Sequence, residues 1–127
     1  MTSQPHIGFI GLGKMGWPMA CQVAKAGYSL TVMDVDQSLA KQLAAELGAQ
    51  VADNGKDVAL SSDIIITILP NSQIVQTVLQ GTEGVLAGLR PGSILIDMTS
   101  GVPSMTQALA KQVSQAGGVM VDAPVSG

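Results

Sequence analysis

The pattern of apolar and polar positions along the chain predicts that strands and helices alternate. Short apolar runs recur, and each is followed by a longer segment whose apolar residues have helical spacing. The runs are rich in Ile, Val and Leu without strict alternation, which is typical of strands that helices cover on both faces. This order predicts an α/β fold with a doubly wound parallel sheet of about six strands. The predicted strands are residues 6–10, 30–33, 49–51, 64–68, 93–97 and 119–122.

Helices are predicted between these strands, with residues at their ends that favour starting or stopping a helix. Asp36 stands where a side chain can accept hydrogen bonds from the free amides of a helix start, and Gly48 stands where that helix should end. No repeat or linker interrupts the order, so residues 1–127 are expected to form one domain. The predicted helices are residues 14–26, 37–47, 53–60, one that starts near Ser72, and 104–116.

The composition narrows the classes of function. Charged residues make up 12% of the chain, about half of the roughly 25% usual in soluble domains, which predicts a surface partly covered by another domain. Six Lys and Arg against nine Asp and Glu give a net charge of −3, and without a basic cluster no nucleic acid is expected as a partner. The longest apolar run, 64–69, is shorter than the roughly 18 residues of a membrane span, so we expect a soluble protein.

Neither a targeting signal nor a metal site is indicated. The first six residues carry no run of positive charge, which predicts no secretory or transit peptide and therefore a cytoplasmic protein. His6 has no second histidine to share a metal ion. Cys21 lies within a predicted helix, far in sequence from that histidine, so we expect it to pack in the core rather than act as a nucleophile.

Residues 11–16 form the pattern Gly-x-Gly-x-x-Gly directly after the first predicted strand and at the start of a helix. In this setting the pattern is typical of a Rossmann-type loop that binds the pyrophosphate of a dinucleotide. The first glycine permits the tight turn, the second lets the pyrophosphate approach the main chain, and the third lets the helix pack against the strand. The alternative is a purely structural turn. The candidate cofactor-binding residues here are Gly11, Leu12, Gly13, Lys14, Met15 and Gly16.

Asp34 closes the second predicted strand, at about the roughly 20-residue offset expected of a carboxylate that accepts hydrogen bonds from the adenosine ribose. Its negative charge repels a 2′-phosphate, and the following residues, Val35 and Asp36, offer no arginine to pair with one. The local sequence therefore favours NAD over NADP as the cofactor. The alternative is that Asp34 is a solvated turn residue, while Asp36 is assigned to the helix cap.

Polar segments follow the fourth and fifth predicted strands at the carboxyl edge of the sheet, where ligands of open α/β folds bind. Residues 68–72 are expected either to line a cofactor or to end the strand and cap the next helix. After the fifth strand, Thr99 and Ser100 offer hydroxyls beside the expected nicotinamide position. Their alternative role is to cap the helix behind Pro103.

The segment after the sixth strand is Asp-Ala-Pro-Val-Ser-Gly, residues 122–127. A loop ending in Ser-Gly can present a hydroxyl and main-chain amides to the carboxylate of a substrate. An unstructured end is the alternative.

Four segments carry a family resemblance when they are taken in order. They are GFIGLGKMGWPMA at 8–20, ILPNS at 68–72, LIDMTS at 95–100 and DAPVSG at 122–127. Together they resemble the amino-terminal domain of the β-hydroxyacid dehydrogenases, the family of 3-hydroxyisobutyrate dehydrogenase and tartronate semialdehyde reductase. The resemblance covers essentially the whole chain. It implies that hydride is transferred between NAD and a small 3-hydroxy acid or its semialdehyde.

The resemblance also implies roles for particular residues. Leu69 and Pro70 are expected to line the cofactor site, Ser100 to lie near the nicotinamide, and Ser126 and Gly127 to contact the substrate. The catalytic residue is unknown, because the family's acid/base lysine lies on a helix that would follow Gly127. An all-helical second domain, absent from this chain, would complete the pocket and a homo-oligomer. We therefore expect these 127 residues alone to bind NAD weakly and to be inactive.

Two alternatives to a dehydrogenase remain open at this stage. One is a Rossmann domain that senses a nucleotide without catalysis. The other is a different enzyme on the same fold, such as a methyltransferase that uses S-adenosylmethionine.

Overall fold

A parallel sheet forms the centre of the fold. The strands are β1 (Ile7–Ile10), β2 (Leu30–Met33), β3 (Gln50–Val51), β4 (Ile64–Thr67), β5 (Ile94–Asp97) and β6 (Val119–Asp122). The computed structural model describes residues 4–125. All six strands in that range run parallel, in the spatial order β3-β2-β1-β4-β5-β6. The predicted doubly wound sheet is confirmed, and its winding reverses between β1 and β4.

Helices connect the strands, mostly where they were predicted. They are α1 (Gly16–Lys25), α2 (Gln37–Leu47), α3 (Gly55–Ser61), α4 (Ser72–Leu79), α5 (Val85–Gly88) and α6 (Pro103–Gln115). The sequence did not predict α5, because four residues are too few to show a helical period. Val85 and Gly88 are buried there, and Gly88 packs against the carbonyl of Lys56 in α3. Among residues 4–125, no helix is both long and apolar enough to cross a membrane.

Side-chain caps start three of the helices. The amide of Leu39 donates a 3.2 Å hydrogen bond to Asp36, which confirms the predicted cap of α2, and Gly48 ends that helix at a φ of 67°. Asn54 and Asn71 accept the equivalent hydrogen bonds at the starts of α3 and α4. In contrast, α1 begins two residues later than predicted, and the residue before it, Met15, makes no side-chain cap.

Two apolar layers hold the helices to the sheet. On one face α1 and α2 cover β1 to β3, and Phe9, Leu12 and Leu43 are fully buried there. Cys21 packs against the same layer, as expected. On the other face α3 to α6 cover the sheet over a second buried cluster, which includes Ile65. The two layers place the helix that follows the glycine loop against β1.

One part of the sheet has no helix over it within residues 4–125. On the face that carries α1 and α2, strands β5 and β6 present Ile94, Val119 and Val121, of which Val119 is 57% exposed. Ile94 and Val119 are neighbours across the two strands, so their side chains lie on the same face. This uncovered surface is therefore an apolar area at one edge of the sheet.

Candidate functional site

A cavity of about 560 Å³ opens at the carboxyl edge of the sheet, where β1, β2 and β4 end. It lies at the point where the winding of the sheet reverses, which is where ligands bind in open α/β folds. Its volume is within the roughly 300–1,000 Å³ typical of small-molecule sites. The predicted site residues that line it are Gly11, Gly13, Lys14, Met15, Gly16, Asp34, Leu69 and Pro70.

The three glycines of the loop differ in what a side chain at each position would contact. Gly11 has a φ of 103°, and a Cβ there would overlap the carbonyl oxygen of Ile68, the residue after β4. A Cβ at Gly16 would overlap the carbonyl oxygen of Gly11. A Cβ at Gly13 would meet no protein atom within 4 Å. The fold therefore requires glycine at Gly11 and Gly16, whereas the open space at Gly13 faces the cavity and suits the close approach of a ligand.

The start of α1 leaves main-chain donors free beside this space. The amides of Gly13, Lys14 and Met15 have no hydrogen-bond acceptor among residues 4–125. The first turn of α1 contains no acidic residue. Because the free amides carry the positive end of the helix dipole, an anion is stabilised at this position.

Asp34 joins the glycine loop to the end of β2. One oxygen of its carboxylate accepts a 2.7 Å hydrogen bond from the amide of Leu12, and the other accepts a 2.9 Å bond from the amide of Asp36. Asp34 is half-buried and lines the cavity. Its carboxylate is therefore held in place, unlike that of a freely solvated turn residue.

An apolar wall also lines the cavity, and its residues were not predicted from the sequence to belong to the site. Ile74, Thr77 and Val78 line the cavity from α4, and Val35 lines it from the loop after β2 with 85% of its surface exposed. The three helix residues have the i, i+3, i+4 spacing of one helix face. The sequence contains this spacing, but the spacing alone does not distinguish a helix face that packs in the core from one that contacts a ligand.

Two of the predicted residues, Leu12 and Ser100, have side chains outside the cavity lining, and two more are not described. The side chain of Leu12 is 1% exposed and packs in the core, so only its amide serves the site, through Asp34. Ser100 does not line the cavity, and its hydroxyl donates a 3.1 Å hydrogen bond to the carbonyl of Val125. Ser126 and Gly127 lie outside the described residues, so their predicted contact with substrate stays a prediction.

The alternative in which Thr99 and Ser100 cap the following helix is wrong. The residue before α6 is Val102, which makes no side-chain cap, and its amide donates a 2.7 Å hydrogen bond to the hydroxyl of Ser72. Ser72 thereby links the start of α4 to the start of α6. Thr99 is buried and accepts a 3.0 Å hydrogen bond from the amide of Leu69, a residue of the cavity wall.

The strand order, the glycine loop at the start of α1 and the acidic residue at the end of β2 together define a dinucleotide-binding Rossmann domain. Residues 6–127 match the family described as the NAD binding domain of 6-phosphogluconate dehydrogenase. The chain belongs to this family. The observed site thus agrees with the cofactor class that the sequence predicted.

Individual relatives support the resemblance to β-hydroxyacid dehydrogenases. The chain is 46% identical to 2-(hydroxymethyl)glutarate dehydrogenase of Eubacterium barkeri, with all of this chain and 42% of the relative covered. It is also 46% identical to the mitochondrial 3-hydroxyisobutyrate dehydrogenase of Rattus norvegicus, with all of this chain and 38% of the relative covered. The chain therefore spans about two fifths of the length of these curated relatives.

A solved structure shares the same fold over nearly the whole chain. The 3-hydroxyisobutyrate dehydrogenase of Mycobacterium tuberculosis, solved with L-serine, superposes with a TM-score of 0.88 at 30% identity. The match covers 98% of this chain and 42% of the solved one. The predicted Rossmann-type fold and the predicted family are both confirmed.

Proposed function

We propose that this chain is the NAD-binding part of a hydroxyacid dehydrogenase that exchanges a hydride between NAD and a small 3-hydroxy acid or its semialdehyde. The observation that carries the proposal is the open space at Gly13. Folding does not require a glycine there, and the space lies beside three main-chain amides that have no acceptor among residues 4–125. An uncapped helix start at a cavity of this size suits the pyrophosphate of a dinucleotide.

Each part of the cavity fits one part of NAD. The amides of Gly13, Lys14 and Met15 would hold the pyrophosphate, and the ammonium group of Lys14 would add a positive charge. The carboxylate of Asp34 has acceptor capacity beyond its two main-chain bonds, since its two oxygens offer about four lone pairs. It would accept hydrogen bonds from the adenosine ribose hydroxyls.

The apolar wall would take the adenine ring. Val35 and Ile74 present aliphatic surface to the cavity, and Thr77 and Val78 continue it along α4. A flat ring with little charge gains most where apolar side chains remove it from water. This assignment accounts for a valine, Val35, that is 85% exposed in the loop after β2.

The same residues support NAD rather than NADP. A Rossmann domain of this fold can bind either cofactor, and the choice depends on the end of β2, where a 2′-phosphate would lie. Here Asp34 contributes a negative charge and Val35 no charge. Lys14, in the glycine loop, is the one cation among the described residues that line the cavity.

The chemistry of the whole protein extends beyond this site. This chain would hold the adenosine and pyrophosphate of NAD and so position the nicotinamide, which would supply the hydride acceptor when bound. Following the family resemblance, we propose that Ser100 lies near the nicotinamide and that Ser126 and Gly127 contact the substrate. A lysine on a later helix, within an all-helical domain that also forms a homo-oligomer, would serve as the acid/base.

Calorimetric titration of the chain with NAD, NADP and S-adenosylmethionine tests the proposal. We expect NAD to bind more tightly than NADP and S-adenosylmethionine not to bind. Tighter binding of NADP would overturn the cofactor assignment. Binding of S-adenosylmethionine without either dinucleotide would overturn the dehydrogenase and favour a methyltransferase.

A further inference from the structure

A buried chain of hydrogen bonds runs along the carboxyl edge of the sheet beside the cavity. One carboxylate oxygen of Asp97 accepts a 3.0 Å hydrogen bond from the hydroxyl of Thr67 and a 3.1 Å bond from the amide of Thr99. The hydroxyl of Thr99 in turn accepts the 3.0 Å bond from the amide of Leu69. Thr67, Asp97 and Thr99 are 3% exposed or less.

Asp97 is an unusual residue to bury here. An isolated ionised carboxylate is costly to remove from water, and a buried one is normally paired or bonded to several donors. Within residues 4–125, the ion pair that the structure contains joins Arg90 to Asp63 and does not involve Asp97. Asp97 is therefore held by neutral donors, which are the hydroxyl of Thr67 at the end of the neighbouring strand β4 and the amide of Thr99 just after β5.

The hydrogen bond from the amide of Leu69 to the hydroxyl of Thr99 takes the place of a main-chain hydrogen bond just beyond the end of β4. The amide of Ile68 still donates to the carbonyl of Ile10 on β1, and the amide of Met98 donates to the carbonyl of Thr67. One residue beyond, Leu69 turns from the sheet to line the cavity. Its amide then has the hydroxyl of Thr99 as its acceptor, so a side chain continues the pairing after the ladder ends.

We propose that Asp97 and Thr99 are positioning residues that fix the Leu69–Pro70 wall of the cofactor cavity. The proposal rests on the proposed NAD site. Asp97 fixes the main chain of Thr99, and the hydroxyl of Thr99 fixes the main chain of Leu69. Neither Asp97 nor Thr99 lines the cavity, so both act on a ligand through the wall.

The same strand end also reaches the segment after β6. The amide of Ala123 donates a 2.9 Å hydrogen bond to the carbonyl of Asp97, and the amide of Val125 donates a 3.3 Å bond to the carbonyl of Met98. The hydroxyl of Ser100 donates to the carbonyl of Val125. The end of β5 is therefore bonded both to the Leu69–Pro70 wall and to the segment that follows β6, as far as Val125.

The experiment removes the hydroxyl of Thr99 with little change of shape. Thr99→Val leaves the amide of Leu69 without its acceptor, and we expect the dissociation constant for NADH, measured by fluorescence titration, to rise about tenfold. Thr99→Ser keeps the hydroxyl and is expected to restore binding to within about twofold. If Thr99 served the stability of the fold alone, Thr99→Val would lower that stability and leave the affinity for NADH unchanged.

Thr31→Val is the matched control. Thr31 is also buried, and its hydroxyl bonds the Nε2 atom of His6, but it does not line the cavity or contact its walls through this bond. The control loses one buried hydroxyl and should bind NADH as the unaltered chain does. Equal weakening by Thr31→Val and Thr99→Val would overturn the positioning role, because general destabilisation would then explain both.

The outcomes separate this proposal from the proposed function. If the unaltered chain does not bind NADH, the proposed function fails. If the unaltered chain binds and Thr99→Val binds equally well, only the positioning role is overturned. Should Thr99→Val not fold, amide hydrogen exchange in the unaltered chain still decides, since slow exchange at Leu69 is expected and exchange at the rate of a free loop amide contradicts the proposal.

Discussion

The amide of Leu12 donates a 2.7 Å hydrogen bond to the carboxylate of Asp34, which ties the middle of the glycine loop to the end of β2. Leu12 cannot move away readily, because its side chain is buried in the core. The carboxylate therefore has a fixed position before any ligand arrives. A preorganised group of this kind binds a ligand without a further loss of conformational freedom.

Replacement of Asp34 by Asn should weaken NAD binding and narrow the preference over NADP. The amides of Leu12 and Asp36 bond different oxygens of Asp34, and one of these positions becomes an NH2 group in Asn, so one main-chain bond is lost. The charge that repels a 2′-phosphate also disappears. We expect NAD affinity to fall about tenfold, as for the loss of one charge-assisted hydrogen bond, and NADP affinity to fall less. Calorimetric titration of both cofactors measures the two changes.

Asp36→Asn is the control for that change. It removes a negative charge two residues away, but Asn caps a helix about as well as Asp, and Asp36 does not line the cavity. The ratio of NAD to NADP affinity should stay as in the unaltered chain. If Asp36→Asn narrows the ratio as much as Asp34→Asn, the preference comes from general charge and not from the bound carboxylate.

Gly13→Ala should separate binding from folding. The added methyl group meets no protein atom within 4 Å, so the midpoint of thermal unfolding should change little. It occupies the space proposed for the pyrophosphate, so NADH affinity should fall at least tenfold. Gly16→Ala provides the contrast, since its methyl group overlaps the carbonyl oxygen of Gly11 and should lower the unfolding midpoint. Unchanged NADH binding by Gly13→Ala would place the cofactor elsewhere.

Ser62→Ala should stabilise the fold. The hydroxyl of Ser62 is fully buried and has no hydrogen-bond partner within the part of the chain that the structure describes. Leaving such a group unpaired costs about 1–3 kcal/mol, so its removal should raise the free energy of unfolding in urea by about 1 kcal/mol. Ser72→Ala removes a buried hydroxyl that is bonded to Val102 and should lower the same quantity. A loss of stability in both variants would show that Ser62 is bonded.

Val113→Thr and Val119→Thr should differ sharply although the chemical change is the same. Val113 of α6 is fully buried, whereas Val119 is 57% exposed on a face of β6 that no helix covers within residues 4–125. A buried hydroxyl costs about 1–3 kcal/mol without a partner and less when it bonds a carbonyl of the preceding helical turn, so Val113→Thr should lower the free energy of unfolding by about 1 kcal/mol. Val119→Thr should change it by less than about 0.5 kcal/mol. Similar losses in the two variants would indicate that the face of β6 is covered in solution.

The order of the elements was predictable because it depends on local patterns. Each of these patterns acts on the main chain within a few residues of itself. Examples are the apolar runs, the helix cap at Asp36 and the helix end at Gly48. The walls of the cavity were less predictable, since Val35 and Ile74 come from separate elements and meet only in the folded sheet. The bond between Thr99 and Leu69 joins residues thirty positions apart and depends on the register of β4 and β5. No local pattern carries that register.

Every described residue that lines the cavity falls in the range from Ile10 to Val78. The contacts proposed for the adenosine and pyrophosphate thus come from one continuous stretch, while the bonds that support the Leu69–Pro70 wall come from the end of β5, later in the chain. Two relatives whose names refer to different hydroxy acids are equally similar to this chain, at 46% identity. We therefore expect substitutions that adapt the later stretch to a new substrate to leave Asp97 and Thr99 in place, because these two residues bond the wall formed by the earlier stretch.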